Sequence, residues 1–277
     1  MQHQPLITLS DGNTIPQVGL GVWRADDKQA AQAVETAINA GYRHIDTAAI
    51  YGNETGVGDG IHAAGIDRKS LFVTTKLWNG EQGYETTLRA FDESLKKLRL
   101  DYIDLYLIHW PVPKRDTYVD TWKAFIELQK QGRIRSIGVS NFEVSHLDRI
   151  IAETGVVPVI NQIETHPAFQ QTTLREQLLT KHIQSQSWSP LGQGPLLENP
   201  LIADIAKKHQ RTAAQVVIRW HIQNKLVVIP KSVTPSRIVE NFNVFDFELD
   251  ADDLARIATL DRKDGRLGPV PDEMDMV

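Results

Sequence analysis

The chain has 277 residues, 41% of them hydrophobic and 23% charged, with a formal net charge of −5; that length suits one large α/β domain or two small ones. It has no long basic run and no stretch of about 18 apolar residues, so neither nucleic acid nor a membrane is an expected partner. It has no cysteine, which excludes disulfides, thiolate metal sites and a cysteine nucleophile.

The opening Met1-Gln-His-Gln-Pro5 has no basic region ahead of an apolar core, which argues against a signal peptide and for the cytoplasm. Leu6 to Leu9, the turn at Ser10 to Asn13 and Thr14-Ile15 read as a β-hairpin that Pro16 ends. Val18 to Leu20 is a short strand. A helical pattern runs from Lys28 to Ala40, and Gly41 closes it as a C-cap. A strand at Arg43 to Ile45 leads to Asp46, a loop with Tyr51, and a helix from Asn53 to Ala64. The alternation then repeats. Strands fall at 71–75, 102–108, 134–139, 159–162, 183–188 and 226–229. Helices follow at 84–98, 118–131, 144–152, 172–181, 201–209, 212–223, 235–241 and 251–260. The tail from Asp261 to Val277 is polar and contains prolines.

Strands alternating with helices imply parallel βαβ units. Eight units in this length predict a (β/α)8 TIM barrel, with an N-terminal β-hairpin and two extra helices. No linker divides the chain, so residues 1–277 are expected to form one domain. Gly19-Leu-Gly21 lacks the third glycine of a dinucleotide fingerprint, and Gly56, Gly58 and Gly60 fall inside a helix, which argues against a Rossmann fold.

Asp46, Tyr51, Lys76 and His109 each fall at or just past the end of a strand, so a closed parallel barrel gathers them at one mouth. A tyrosine phenol, with a pKa of about 10, is a weak acid at neutral pH. A nearby ammonium lowers that value, and a carboxylate holds the ammonium in place. An imidazole beside the phenol can bond to a carbonyl oxygen. Such a set protonates an oxygen on which negative charge develops, as in reduction of a carbonyl by hydride.

Five segments carry a family resemblance: Gly41-Tyr-Arg-His-Ile-Asp-Thr-Ala48, Leu105-Tyr-Leu-Ile-His-Trp-Pro111, Gly138-Val-Ser-Asn-Phe142, Asn161-Gln-Ile-Glu164 and Ile229-Pro-Lys-Ser232. On these the chain resembles an aldo-keto reductase along essentially its whole length, and within that family most of all the bacterial 2,5-diketo-D-gluconic acid reductases of the A type. The resemblance implies the barrel fold, NADPH as cofactor, a small carbonyl substrate, a monomer, and Asp46, Tyr51, Lys76 and His109 as the catalytic set. It implies that Ser140, Asn141 and Gln162 hold the nicotinamide carboxamide and that Trp188 stacks on its ring. Ser189, Leu191 and Gly192 would lie along the pyrophosphate. Lys231, Ser232, Val233, Thr234, Arg237, Glu240 and Asn241 would surround the adenosine 2′-phosphate and adenine. A Lys, an Arg, a Ser and a helix N-terminus suit a dianionic phosphate.

Trp23, Tyr51, Trp78, His109 and Trp110 are the expected substrate contacts. The short loop after Trp110 and the short tail suggest an open pocket for small polar carbonyl compounds. Two rival readings remain: a module that senses NADPH with little turnover, and a metal-dependent barrel hydrolase using Asp46 and His109, for which no further ligand of suitable placement is evident.

Overall fold

The structure is a computed structural model and describes residues 4–277; the reading of the N-terminus as leaderless falls in part on residues 1–3, outside that range. An antiparallel hairpin, β1 (Leu6–Thr8) and β2 (Thr14–Pro16), precedes the main sheet. Eight parallel strands follow: β3 (Leu20–Gly21), β4 (His44–Asp46), β5 (Phe72–Leu77), β6 (Ile103–Ile108), β7 (Ile134–Ser140), β8 (Ile160–Glu164), β9 (Gln184–Trp188) and β10 (Val227–Val228). Each pairs with its neighbour in chain order. Bridges from Val18 to Val228 and from Gly21 to Lys231 join the first strand to the last, so the sheet curls into a barrel.

The helices are α1 (Asp27–Ala40), α2 (Glu54–Ala63), α3 (Tyr84–Leu98), α4 (Tyr118–Lys130), α5 (Val144–Thr154), α6 (Thr172–Thr180), α7 (Pro200–His209), α8 (Ala213–Gln223), α9 (Pro235–Phe242) and α10 (Ala251–Ala258). Helix α1 starts on a capping box of Asp26 and Gln29, and it ends where Gly41 takes a φ of 113°. The three glycines of α2 serve packing. A Cβ on Gly56, Gly58 or Gly60 would collide with the backbone of α1 at Asp27 and Ala31 or with Leu98 at the end of α3.

Period-two alternation sorts the strands. Ile45, Val73, Tyr106, Ile108, Ile137 and Val139 pack outward under the helices. On the other face, Phe72, Leu105, Leu107, Ile160 and Val227 cluster with Leu9 and Ile15 of the hairpin. The hairpin thus plugs the end of the barrel where the strands begin. The opposite end is left for chemistry.

Two sequence expectations change here. Strand β5 runs on to Leu77, so Lys76 lies within the strand and its backbone is held by the sheet. The tail does not leave an open rim. Arg262 N donates to Ala168 O, Leu267 N and Gly268 N donate to Glu164, and Asp272 lies 3.2 Å from His146 Nε2. Met274 packs with Trp110 and Val112, and Asn79 Nδ2 donates to Met276 O at 2.8 Å. These anchors follow the ends of β8, β7, β6 and β5 in turn. The tail is therefore a strap laid over that side of the mouth, which loop length alone could not reveal.

Candidate active site

Asp46 ends β4, and the loop that follows places Tyr51 in a short 3-10 turn before α2. Lys76 is the inward neighbour on β5. Its Nζ donates to Asp46 Oδ1 at 2.5 Å and to Thr47 O at 2.9 Å, and it lies 5.2 Å from the centroid of the Tyr51 ring. Asp46 Oδ2 accepts from Gln162 Nε2 at 2.8 Å. Both carboxylate oxygens of Asp46 are thus in use, which leaves little of it for the metal-ligand role. His109, just past β6, packs edge-on against Tyr51 with centroids 5.8 Å apart, and against Trp78 at 5.4 Å. The structure brings the four sequence-chosen residues together at one mouth.

The charges follow from burial. Burial works against the Lys76 ammonium, but Asp46 and the Tyr51 oxygen beside it carry its pKa above the ordinary lysine value. Burial pushes Asp46 up, and Lys76 and Gln162 pull it part of the way back. Tyr51 differs from the sequence expectation in its net direction. Lys76 lowers its pKa as expected, but desolvation is larger and leaves the phenol above its usual value. Tyr51 is therefore held protonated, as a proton donor must be. Burial, helped by the Lys76 charge, keeps His109 well below its ordinary value, so the imidazole is neutral at neutral pH. Its Nδ1 is buried with no hydrogen-bond partner among the described residues. A phenol O–H and an imidazole nitrogen side by side can hold one carbonyl oxygen and hand it a proton.

A model of the Aldo/keto reductase family matches residues 16–262. The chain belongs to the aldo/keto reductase family. It is 55% identical to methylglyoxal reductase DkgA of Escherichia coli (strain K12), over 99% of each chain. It is 57% identical to an aldo-keto reductase of Mycolicibacterium smegmatis, over 96% of this chain and 97% of the other. Among solved structures, a mutant of Gox0644 in complex with NADPH superposes with a TM-score of 0.96 at 55% identity, covering 99% of this chain and all of that one. An aldo-keto reductase of Bombyx mori in complex with NADP has a TM-score of 0.88 at 40% identity, with 94% of each chain covered.

The residues expected to hold the cofactor flank the same mouth of this aldo/keto reductase. Ser140 Oγ donates to Gln162 O, and Asn141, at a φ of 61°, donates through Nδ2 to His109 O. Gln162 Oε1 has no partner among the described residues, so it is an acceptor free for an amide N–H. Trp188 ends β9, and its Nε1 donates to Asn141 Oδ1 at 2.7 Å. Ser189 and Gly192 both take positive φ, turning the chain sharply beside half-buried Leu191.

On the far side, Lys231 and Arg237 are exposed and have no ion-pair partner among the described residues. Arg237 lies in the first turn of α9, which starts at Pro235 with no side-chain cap at Thr234. Ser232 Oγ accepts from Thr234 N, and Val233 packs partly against the core. Asn241 is buried, and Glu240 is engaged by Thr212 Oγ1 at 2.8 Å. Two free cations beside an uncapped helix start fit a phosphate.

Among the expected substrate contacts, Trp23 is 39% exposed with Arg24 stacked on it, and Trp78 lies against His109. Trp110 is 6% exposed and packs with Met274. Sequence reasoning missed Asn53. It is fully buried, accepts from Thr47 Oγ1 and donates to Val22 O and Ala25 O, which ties the Trp23 loop to the Asp46–Tyr51 loop. Its only sequence signal was a place just before a helix. Ile50 and Leu267, apolar yet 47% and 48% exposed, were missed as well; Ile50 adjoins Tyr51, and Leu267 lies on the strap.

Proposed function

We propose that the chain reduces small aldehydes and ketones to alcohols with NADPH, with 2,5-diketo-D-gluconate, methylglyoxal and β-keto esters as the substrates to test first, and that it works as one unit, a cytoplasmic monomer. Among the described residues no helix is long and apolar enough to cross a membrane. The observation that carries the reading is the buried Lys76–Asp46 pair set beside the Tyr51 ring, with His109 packed edge-on against it. The name of the Escherichia coli relative supports methylglyoxal, and the NADPH complex of the Gox0644 mutant supports the cofactor.

NADPH, when bound, supplies the hydride. The chain does the rest. Gln162, Asn141 and Ser140 would hold the carboxamide, and Trp188 would flank the ring. Lys231, Arg237 and Ser232 would hold the 2′-phosphate. Tyr51 and His109 would orient the carbonyl oxygen, and Tyr51 would give it a proton as charge develops there. Lys76 then stabilises the phenolate left behind. Asp46 and Thr47 O keep the ammonium aimed at the phenol.

NADPH oxidation with each carbonyl, repeated with NADH, tests the reading. Turnover that prefers NADPH supports it. Tight NADPH binding without turnover of any carbonyl would favour a sensing module instead.

A further inference from the structure

Glu164, the last residue of β8, is 1% exposed, and no lysine or arginine reaches it among the described residues. Its two oxygens accept main-chain N–H groups of the strap: Leu267 N at 2.6 Å and Gly268 N at 2.9 Å. His166 Nε2 lies 3.0 Å from the first of these oxygens. Burying a carboxyl group is costly unless its oxygens are satisfied, so this group strongly favours one position of the strap.

That position bears on Trp188, the cross-strand neighbour of Glu164. A Cβ on Gly268 would lie 2.5 Å from Trp188 Cη2, so the strap backbone rests directly against the edge of the indole. The other edge is held by the bond from Nε1 to Asn141. The indole is thus set between Asn141 and the strap. On its other flank the strap borders a groove of about 330 Å3, lined by His166, Gly192, Leu196, Arg262 and Leu267 among others. Between the Arg262–Ala168 bond and the Asp272–His146 contact, the Glu164 carboxylate is the anchor that holds the strap at Leu267 and Gly268.

We propose that Glu164 is a positioning residue: by holding Leu267 and Gly268 it presses the strap onto Trp188, fixes the surface on which nicotinamide stacks, and slows release of NADPH. This rests on the reading of Trp188 as the stacking partner. Glu164→Gln keeps the shape but replaces one acceptor oxygen with an NH2 group, which then faces a backbone N–H donor. Gly268→Ala keeps the Glu164 side chain but puts a methyl group 2.5 Å from Trp188 Cη2 and 3.2 Å from Glu164 Oε2, so it crowds the indole first and the carboxylate as well.

The test combines three measurements on each variant and on Trp188→Phe. Trypsin is applied to the protein without NADPH, reading cleavage after Arg266 in the strap. Stopped-flow fluorescence reads NADPH release, and single-turnover reduction of methylglyoxal reads hydride transfer. Glu164→Gln should be cut faster and release NADPH about tenfold faster, the scale of one lost charge-assisted hydrogen bond. Hydride transfer should change by no more than about threefold, because no group of the reacting set has been touched. Gly268→Ala should speed release as well. If Trp188→Phe speeds release but Glu164→Gln and Gly268→Ala do not, the clamp is overturned while the stacking reading stands. If Glu164→Gln is cut at the wild-type rate, the clamp is again overturned. If Trp188→Phe leaves release unchanged, the stacking reading has failed, and the clamp's link to the cofactor goes with it.

Discussion

Lys76 Nζ lies 2.5 Å from Asp46 Oδ1, and neither side chain is more than 2% exposed. Such a pair adds little to stability by comparison with apolar residues of the same shape, because both ions have been taken out of water. Its value here is placement. The ammonium has a fixed position beside the Tyr51 ring, set by the carboxylate and by Thr47 O.

Breaking that pair from one side should therefore be costly. Asp46→Asn leaves a buried ammonium without its counter-charge and should destabilise the fold by about 3–5 kcal/mol. Replacing both partners with apolar residues of similar volume should cost less than Asp46→Asn alone. Urea denaturation of the two variants checks the order. The opposite order would mean that the pair is not desolvated as described.

The two free cations beyond the mouth make a separate prediction. Lys231→Ala and Arg237→Ala should each weaken NADPH binding by about 10-fold to 100-fold, the range of a charge-assisted bond to phosphate. Binding of NADH, which lacks the 2′-phosphate, should hardly change. Equal losses for both nucleotides, measured by titration of protein fluorescence, would place the phosphate elsewhere.

Acid lability should come from the buried histidines, His109 among them, and two that lie outside the reacting set define the pH window. His44 and His221 are buried, and desolvation lowers each to about 3. The unfolded chain binds their protons near the ordinary histidine value, so between that value and about 3 the unfolded state holds more protons. Stability should fall as pH drops through this window, by about 1.4 kcal/mol per pH unit for each histidine. Urea midpoints at pH 7 and pH 5 read the slope. His44→Gln should flatten part of it; an unchanged slope would mean that His44 is not held neutral.

The barrel was legible because its signals are local. Apolar strands such as Leu105 to Ile108 alternate with amphipathic helices, and Gly41 marks a helix end through a backbone angle that glycine adopts at low cost. Asp46, Tyr51, Lys76 and His109 were legible because strand ends share a mouth whatever the distances in sequence. What the sequence hid depends on contacts across the chain. The role of Gly268 shows only once Trp188 lies against it, and Asn53 looks like a helix start until it meets Val22 and Ala25. The direction of the Tyr51 shift was hidden for a related reason. Desolvation depends on burial of the phenol, which no motif states.

The most direct test of the proton-donor assignment is NADPH-dependent reduction of methylglyoxal by wild type and by Tyr51→Phe. The account predicts steady turnover by wild type. It predicts a loss of at least about 100-fold in kcat for the variant, the usual scale of a missing general acid. NADPH affinity should stay within about threefold, since the phenol is assigned to the substrate oxygen and not to the nucleotide. Turnover by Tyr51→Phe close to that of wild type would contradict it.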